Sequence, residues 1–144
     1  MKQKITWILL LIIGIVSSCN YDISYIFYTD YVYENTLSDA MTIECYNDAG
    51  EFEKQWIIPA GESLKFETSS SPHYDAENYL IEYNKVRFIF GNNEKEIWFE
   101  YDENNNSYNI FHLDNYAQTS IKVRHIQLTY SITQELVNLA TPIE

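Results

Sequence analysis

Three side chains that could bind a divalent metal alternate within one polar stretch of the sequence. His73, Asp75 and Glu77 offer an imidazole and two carboxylates at every second position, a spacing that places them on one side of an extended segment. Zinc sites usually take more histidine or cysteine ligands than this stretch supplies. Ordinary loop polarity explains the same residues, so no metal site is predicted here.

A second acidic stretch begins in the way that calcium-binding loops begin. Residues 102–107 read Asp-Glu-Asn-Asn-Asn-Ser and place oxygen-bearing side chains at alternate positions. A calcium loop of the EF-hand type requires glycine at its sixth position and a bidentate glutamate at its twelfth. Ser107 and Leu113 occupy those positions. The stretch is therefore predicted to be a solvated hairpin turn, and no cofactor is expected.

The two remaining histidines lack the neighbours that would indicate catalysis. His112 lies among apolar residues of a predicted strand, and His125 lies at a predicted β-bulge. No serine or cysteine nucleophile is identifiable beside either, and no glycine-rich phosphate loop, HExxH or GxSxG motif occurs in the sequence. We therefore predict that the protein is not an enzyme.

The chain contains two cysteines, Cys19 and Cys45. Met41, Ile43 and Cys45 follow a period-two pattern that places Cys45 on the apolar face of a strand. A reactive thiol and an intermolecular disulfide are alternatives, but a free cysteine is most often a small buried hydrophobe. Cys45 is predicted to be buried and unpaired.

The start of the chain has the pattern of a secretory signal. Lys2 and Lys4 precede a twelve-residue apolar run from Ile5 to Val16, and Ser17 and Ser18 follow that run. Such a run is too short to cross a bilayer as a helix. Its basic flank and small residues are typical of a signal peptide, so residues 1–18 are expected to be removed.

The last four residues of this segment, Val16-Ser17-Ser18-Cys19, resemble a bacterial lipobox. The resemblance implies cleavage between Ser18 and Cys19 and attachment of acyl chains such as palmitate to Cys19. By analogy with Gram-negative sorting, Asn20 rather than aspartate after the cysteine implies the outer membrane. The periplasmic and the surface face of that membrane both remain open.

The mature chain would be strongly acidic. Removal of residues 1–18 leaves seven basic against 21 acidic residues, a net charge of −14, in a length of 126 residues that suits one domain. Such a charge repels phosphate backbones, which excludes nucleic acid as a partner. It also disfavours adsorption to anionic lipid, so attachment to the membrane should depend on the acyl chains.

Short strand patterns separated by turn residues fill the rest of the chain. Residues 19–29 are predicted to be a tether that leads into the first strand. The predicted strands are Tyr31–Tyr33, Met41–Tyr46, Phe52–Ile58, Leu64–Glu67, Tyr79–Ile81, Lys85–Phe90, Ile97–Tyr101, Tyr108–Leu113 and a bulged Ile121–Ile132, with a polar loop at Thr68–Asn78 and a short helix within Ile132–Ala140 after a Ser131–Gln134 capping box.

The hairpin from Lys85 to Tyr101 has the best defined pairing. A four-residue connection, Gly91–Glu94, makes the numbers of paired residues sum to 185. Phe88 then faces Ile97 on the inner side, and Arg87 faces Trp98 on the outer side. We predict that the Arg87 guanidinium covers the Trp98 ring and leaves no room for a stacked sugar.

The strand pattern has no credible βαβ unit and predicts an all-β, immunoglobulin-like antiparallel β-sandwich of about seven to eight strands over residues 30–144. With the lipobox and the C-terminal Tyr130–Glu135 segment, the chain resembles small uncharacterised lipoproteins of Gram-negative gut anaerobes. This resemblance favours an outer-membrane-anchored, non-catalytic interaction or envelope-assembly module. The 13 Tyr, 7 Phe and 3 Trp residues suit half-buried sheet positions, but they also leave open a glycan-binding lipoprotein that uses exposed aromatics.

Overall fold

The structure is a computed structural model, and it describes residues 26–70, 79–101 and 108–144. Several predictions fall outside these residues. They concern the signal peptide at residues 1–18, the tether as far as residue 25, the His73–Glu77 stretch and the acidic turn at 102–107.

The described chain folds into nine strands, two short 3₁₀ helices and one short α-helix. In chain order the strands are β1 (Phe27–Asn35), β2 (Met41–Tyr46), β3 (Phe52–Ile58), β4 (Ser63–Ser70), β5 (Lys85–Phe90), β6 (Lys95–Glu100), β7 (Ala117–Lys122), β8 (His125–Ile132) and β9 (Thr141–Pro142). The 3₁₀ helices span Tyr79–Glu82 and Leu113–Asn115, and helix α1 spans Gln134–Leu139.

Two sheets form a sandwich. The first has the strand order β4-β1-β8-β7, and the second has the order β3-β2-β5-β6-β9. All pairings are antiparallel except that of β1 with β8, which run parallel with Tyr28 beside His125 and Asn35 beside Ile132. The predicted all-β sandwich and its short C-terminal helix are thus confirmed, and the parallel pair is an addition to the antiparallel prediction.

The core lies between the sheets and is built from side chains that alternate inward along each strand. Tyr31 and Tyr33 of β1, Ile43 and Cys45 of β2 and Phe88 of β5 are fully buried in one cluster. Burial of a large apolar side chain is worth roughly 1.5–3 kcal/mol, so this cluster holds the two sheets together. The predicted apolar face of β2 is confirmed.

A buried asparagine joins the two sheets at one end of the sandwich. The Asn35 side-chain amide at the end of β1 donates to the carbonyls of Asp39 (2.9 Å) and Ile58 (3.0 Å). These bonds place the end of β1 beside the start of β2 and the end of β3. The opposite end of the sandwich therefore holds the start of β1 and the Asn47–Gly50 turn that follows β2.

The predicted hairpin register is confirmed, since β5 pairs with β6 with Arg87 beside Trp98 and Phe88 beside Ile97. Strand β3 also has the predicted bounds. Strand β1 begins at Phe27, within the predicted tether, and β4 continues to Ser70, within the predicted polar loop. Both extensions arise because Phe27–Thr29 pair with Thr68–Ser70. The sequence of either segment alone does not predict this pairing.

Two predicted strands are wrong. Tyr79–Ile81 lies in a 3₁₀ helix. Residues 108–112 form turns instead of a strand, and Leu113 begins the second 3₁₀ helix. The cause is Asn109, whose side chain accepts from the Phe111 N–H at 3.0 Å and donates to the Glu100 carbonyl at 3.0 Å. Such side-chain bonds compete with a strand ladder for the backbone.

The predicted long strand Ile121–Ile132 is also wrong, because it is divided between β7 and β8. A tight turn at Val123 and Arg124 joins them, with Arg124 in the left-handed region at φ 62°. The change in the parity of the apolar residues therefore marks a hairpin instead of the predicted bulge at Arg124–His125. The predicted Ser131–Gln134 capping box is wrong as well, since Thr133 is the N-cap of α1 and makes no side-chain capping bond.

Candidate functional site

The thiol of Cys45 is unsuited to chemistry. Its residue is fully buried, and burial raises the pKa of the Cys45 thiol to about 12. The thiolate is the reactive form of cysteine, so the prediction of a structural thiol agrees with its surroundings. Ser18 and Cys19, the predicted cleavage and lipidation residues, precede the described chain, and that prediction stays a prediction.

Three aromatic rings form a row on the outer face of the second sheet. The ring of Tyr46 on β2 lies between those of Phe52 on β3 and Trp98 on β6, with centroid distances of 6.0 and 5.1 Å. The pairing of β2 with β3 shifts at Tyr46, which places Phe52 directly beside it. Phe52 is 53% and Trp98 38% exposed. We call Tyr46, Phe52 and Trp98 the aromatic row.

A charged network borders the aromatic row. The Arg87 guanidinium donates to Glu96 from Nε at 2.6 Å and to Glu44 from Nη1 at 3.1 Å, and the Tyr46 hydroxyl donates to the same Glu44 oxygen at 2.7 Å. Burial alone would lower the pKa of Arg87, but bonds to Glu96, Tyr46 and Glu44 raise it above its ordinary value. The guanidinium is therefore a fixed charge.

Two cations lie against the Trp98 ring. Lys85 Nζ is 5.0 Å and Arg87 Cζ 5.3 Å from its centroid, and the Trp98 indole N–H donates to Glu96 Oε1 at 3.1 Å. The predicted contact of Arg87 with Trp98 is confirmed. These partners hold the indole in place and occupy surface that a flat ligand would need for stacking.

Strand β3 is an edge of the second sheet and bears further exposed apolar surface. Its Ile57 is 64% exposed. Lys54 holds an inward-facing register position opposite the buried Cys45, and its Nζ lies 4.9 Å from the Trp56 ring centroid. Inward-pointing charges of this kind protect edge strands from pairing with another chain. A partner would therefore contact the outer face of this sheet more readily than its edge.

A buried charge cluster on the outer face of the first sheet was not anticipated from the sequence. The Asp30 side chain is only 3% exposed; its Oδ2 lies 2.7 Å from Lys65 Nζ and its Oδ1 3.0 Å from His125 Nε2. The Oδ1–Nε2 contact lacks hydrogen-bond geometry, and neither atom has another partner among the described residues. Aspartate is almost never fully buried unless it is paired. The position of Asp30 beside the aromatic residues of β1 is therefore a sequence signal for a paired carboxylate.

The same cluster has a donor set that a metal could use. Asp30, His125 and the neighbouring Glu67 place ligand atoms within 4.8 Å of one another. However, the Lys65 ammonium already contacts Asp30 Oδ2 and would repel a cation. Burial tends to raise the pKa of Asp30, but the nearby Lys65 ammonium and the contact with His125 outweigh it and hold that pKa below its ordinary value. The residues fit a structural ion network better than a metal site.

The third histidine of interest, His112, lies in a turn and not in the predicted strand. It is the N-cap of the second 3₁₀ helix and is half-buried. Its backbone N–H donates to the Asn109 carbonyl at 3.1 Å and its carbonyl accepts from the Asn115 N–H at 3.0 Å. Through these backbone bonds His112 connects the turn at Asn109 to the second 3₁₀ helix.

Comparison of the chain with protein-family models, curated proteins and solved structures found no match. Within the described ranges, no helix has the length and apolar character needed to cross a bilayer. A function can therefore be inferred only from the fold and from the chemistry of the surface.

Proposed function

We propose that this protein is a lipid-anchored, non-catalytic interaction module of the outer membrane that binds a protein partner on the outer face of its second sheet. The anchor follows from the signal pattern and from Cys19 behind two small residues. Stable attachment needs more than one acyl chain, as the lipobox resemblance implies for Cys19.

The observation that carries the partner surface is the aromatic row. Trp, Tyr and Arg are the residues enriched at the energetic centres of protein interfaces, and Trp98, Tyr46 and Arg87 stand together on this face. Phe52 continues this apolar area onto β3, and Ile57 is exposed farther along the same face, beyond Gln55. Contiguous exposed apolar surface rimmed by polar residues is typical of a binding site.

The ion pairs of this face allow a protein partner to cover it. Arg87 is paired with both Glu44 and Glu96, so a partner can cover the guanidinium without leaving an unpaired buried charge. Glu44 and Glu96 keep one net negative charge beside the single guanidinium, and they also accept hydrogen bonds from the Tyr46 hydroxyl and the Trp98 indole N–H. An interface centred here would bury rings and satisfied charges together.

Glycan binding is the second candidate, because a row of rings on a sheet can stack sugars. The two cations against Trp98 disfavour glycan binding, since they cover one of the three rings on which a sugar could stack. Tyr46 is also tied by its hydroxyl to Glu44. Phe52 alone has a widely exposed ring in the row, and one ring is a weak sugar site.

Site-specific photo-crosslinking in cells tests the proposal. A photoreactive phenylalanine analogue replaces Ile57, and a matched chain carries it at Gln118, an exposed position on β7 of the other sheet. We expect a discrete protein adduct from position 57 that position 118 does not give and that Trp98→Ala abolishes. Equal adducts from both positions, or none from 57, would refute the proposed surface. Glycan-array binding lost in Trp98→Ala at unchanged Tm would establish the second candidate instead.

A further inference from the structure

Exposed apolar side chains gather at the end of the first sheet where β1 begins. Five of the ten large hydrophobic residues exposed in the described ranges lie there, with Val123 at 86% and Ile26 at 54%. We define the proximal patch as Ile26, Phe27, Tyr28, Ile121 and Val123. An apolar cluster of this kind at one end of a domain indicates a contact surface.

The parallel pairing of β1 and β8 creates this patch. Because Tyr28 is beside His125, the turn between β7 and β8 lies next to the residues that begin β1. The Tyr28 N–H donates to the Arg124 carbonyl at 2.9 Å, which fixes the turn against the strand. Two segments nearly a hundred residues apart in sequence thus present one surface.

The charges at this end are unusual for so acidic a chain. Lys122 and Arg124 flank Val123, and all three are exposed. At the same end of the second sheet, the turn after β2 contains Asp48, followed by Glu51. Lys85 also lies at this end of the second sheet, opposite Tyr46, where it is paired with Glu100. Lys122 and Arg124 are thus the cations that flank the most exposed residue of the proximal patch.

We infer that the proximal patch rests in the headgroup layer of the membrane that holds the protein, an inference that depends on the proposed lipid anchor. Ile26 follows Cys19 by seven positions, a length of chain that spans at most about 25 Å. Apolar side chains interleaved with Lys and Arg are typical of segments that lie in a lipid interface. Lys122 and Arg124 would contact lipid phosphates while Ile121 and Val123 enter the acyl boundary.

Depth-dependent fluorescence quenching tests this inference in the full, lipidated chain. Val123→Cys receives a fluorophore, and Leu139→Cys, exposed in α1 near the other end of the sandwich, is the matched control. Buried Cys45 should not take the label. The labelled proteins are reconstituted in phosphatidylethanolamine–phosphatidylglycerol vesicles that carry a nitroxide in the acyl chain.

We expect roughly twofold or stronger extra quenching at position 123 relative to 139, given an interfacial depth of about 5–10 Å. Ile121→Asp in the Val123→Cys chain should reduce that difference without changing Tm. Equal quenching in vesicle-bound protein would overturn the membrane contact while the anchor stands. Protection of position 123 from aqueous iodide without nitroxide quenching would also overturn it, since protein would then cover the patch. Failure to float with vesicles, with Cys19 free to take a second label, would refute the anchor itself and this inference with it.

Discussion

Replacement of Lys65 by methionine should destabilise the protein because it isolates a buried carboxylate. Asp30 is 3% exposed and depends on Lys65, at 2.7 Å, for a charged partner. Methionine keeps the apolar stem of lysine and removes only the ammonium. The remaining contact, with His125, lacks hydrogen-bond geometry and is a poor replacement.

The size of the effect follows from the exposure of the two partners. Loss of one partner from a fully buried ion pair costs about 3–5 kcal/mol. The Lys65 side chain is 52% exposed, so water screens the pair and the contribution is smaller. We expect Lys65→Met to lower the free energy of unfolding by about 1–2 kcal/mol, which shifts a urea midpoint by roughly 0.5–1 M.

The pH dependence gives an independent check. The pKa of Asp30 is lowered in the folded state by Lys65 and His125 against the effect of burial. A lowered folded pKa contributes stability above the unfolded value of about 3.9, and that stability is lost as pH falls through the folded pKa. The difference between wild type and Lys65→Met should therefore be full at pH 7 and shrink below about pH 4.

Urea unfolding at several pH values, followed by tryptophan fluorescence, measures both quantities. Lys122→Met is the matched control, because Lys122 is exposed on an edge strand, and it should change stability by less than about 0.5 kcal/mol. Equal effects of the two substitutions at pH 7 would refute the reasoning. So would a Lys65→Met effect that stays constant into the acid range.

Three further predictions concern residues identified from the sequence. Cys19→Ala should abolish acylation, and mass spectrometry that finds an unmodified residue 19 with Met1 retained in the wild type contradicts the anchor. Cys45 should resist thiol reagents in the native protein, and Cys45→Ser should cost about 1–3 kcal/mol by placing a hydroxyl in the apolar layer; rapid native labelling contradicts its burial. Arg87→Ala and Trp98→Ala should each lower Tm, with a double-mutant coupling of about 0.5–1 kcal/mol, whereas strict additivity contradicts a direct contact.

Sequence patterns predicted the strands whose partners are close along the chain. The β5–β6 hairpin could be aligned residue by residue because its short connection fixes the register. Strands β2 and β3 were likewise identified, since β2 alternates and a turn with Gly50 at φ 76° leads into the returning strand. Such local pairing can be predicted because the turn and both strands are adjacent in the sequence.

Features that depend on distant partners could not be predicted in this way. The position of Asp30 among aromatic strand residues indicates a paired carboxylate, but its partners Lys65 on β4 and His125 on β8 are distant in sequence, so the local pattern does not identify them. The turn at Arg124 and the Asn109 network were misread because single residues redirected the backbone through a left-handed φ angle and side-chain bonds. At Asn109, the side-chain bond to Glu100 overrode the strand propensity of its neighbours.

The parallel contact between β1 and β8 ties the proposed anchor to the fold. An antiparallel partner beside β1 would have carried the Val123–Arg124 turn to the other end of the sheet, away from the tether. With the parallel arrangement, that turn and the start of β1 lie together, and a short tether would hold both near the bilayer. The aromatic row lies on the other sheet and points away from the first sheet. Tyr46 is the last residue of β2 and pairs with Phe52, so the row stands at the same end of the sandwich as the proximal patch. A partner bound to the row would therefore lie beside the bilayer, against the flank of the domain, while the proximal patch stays on the membrane.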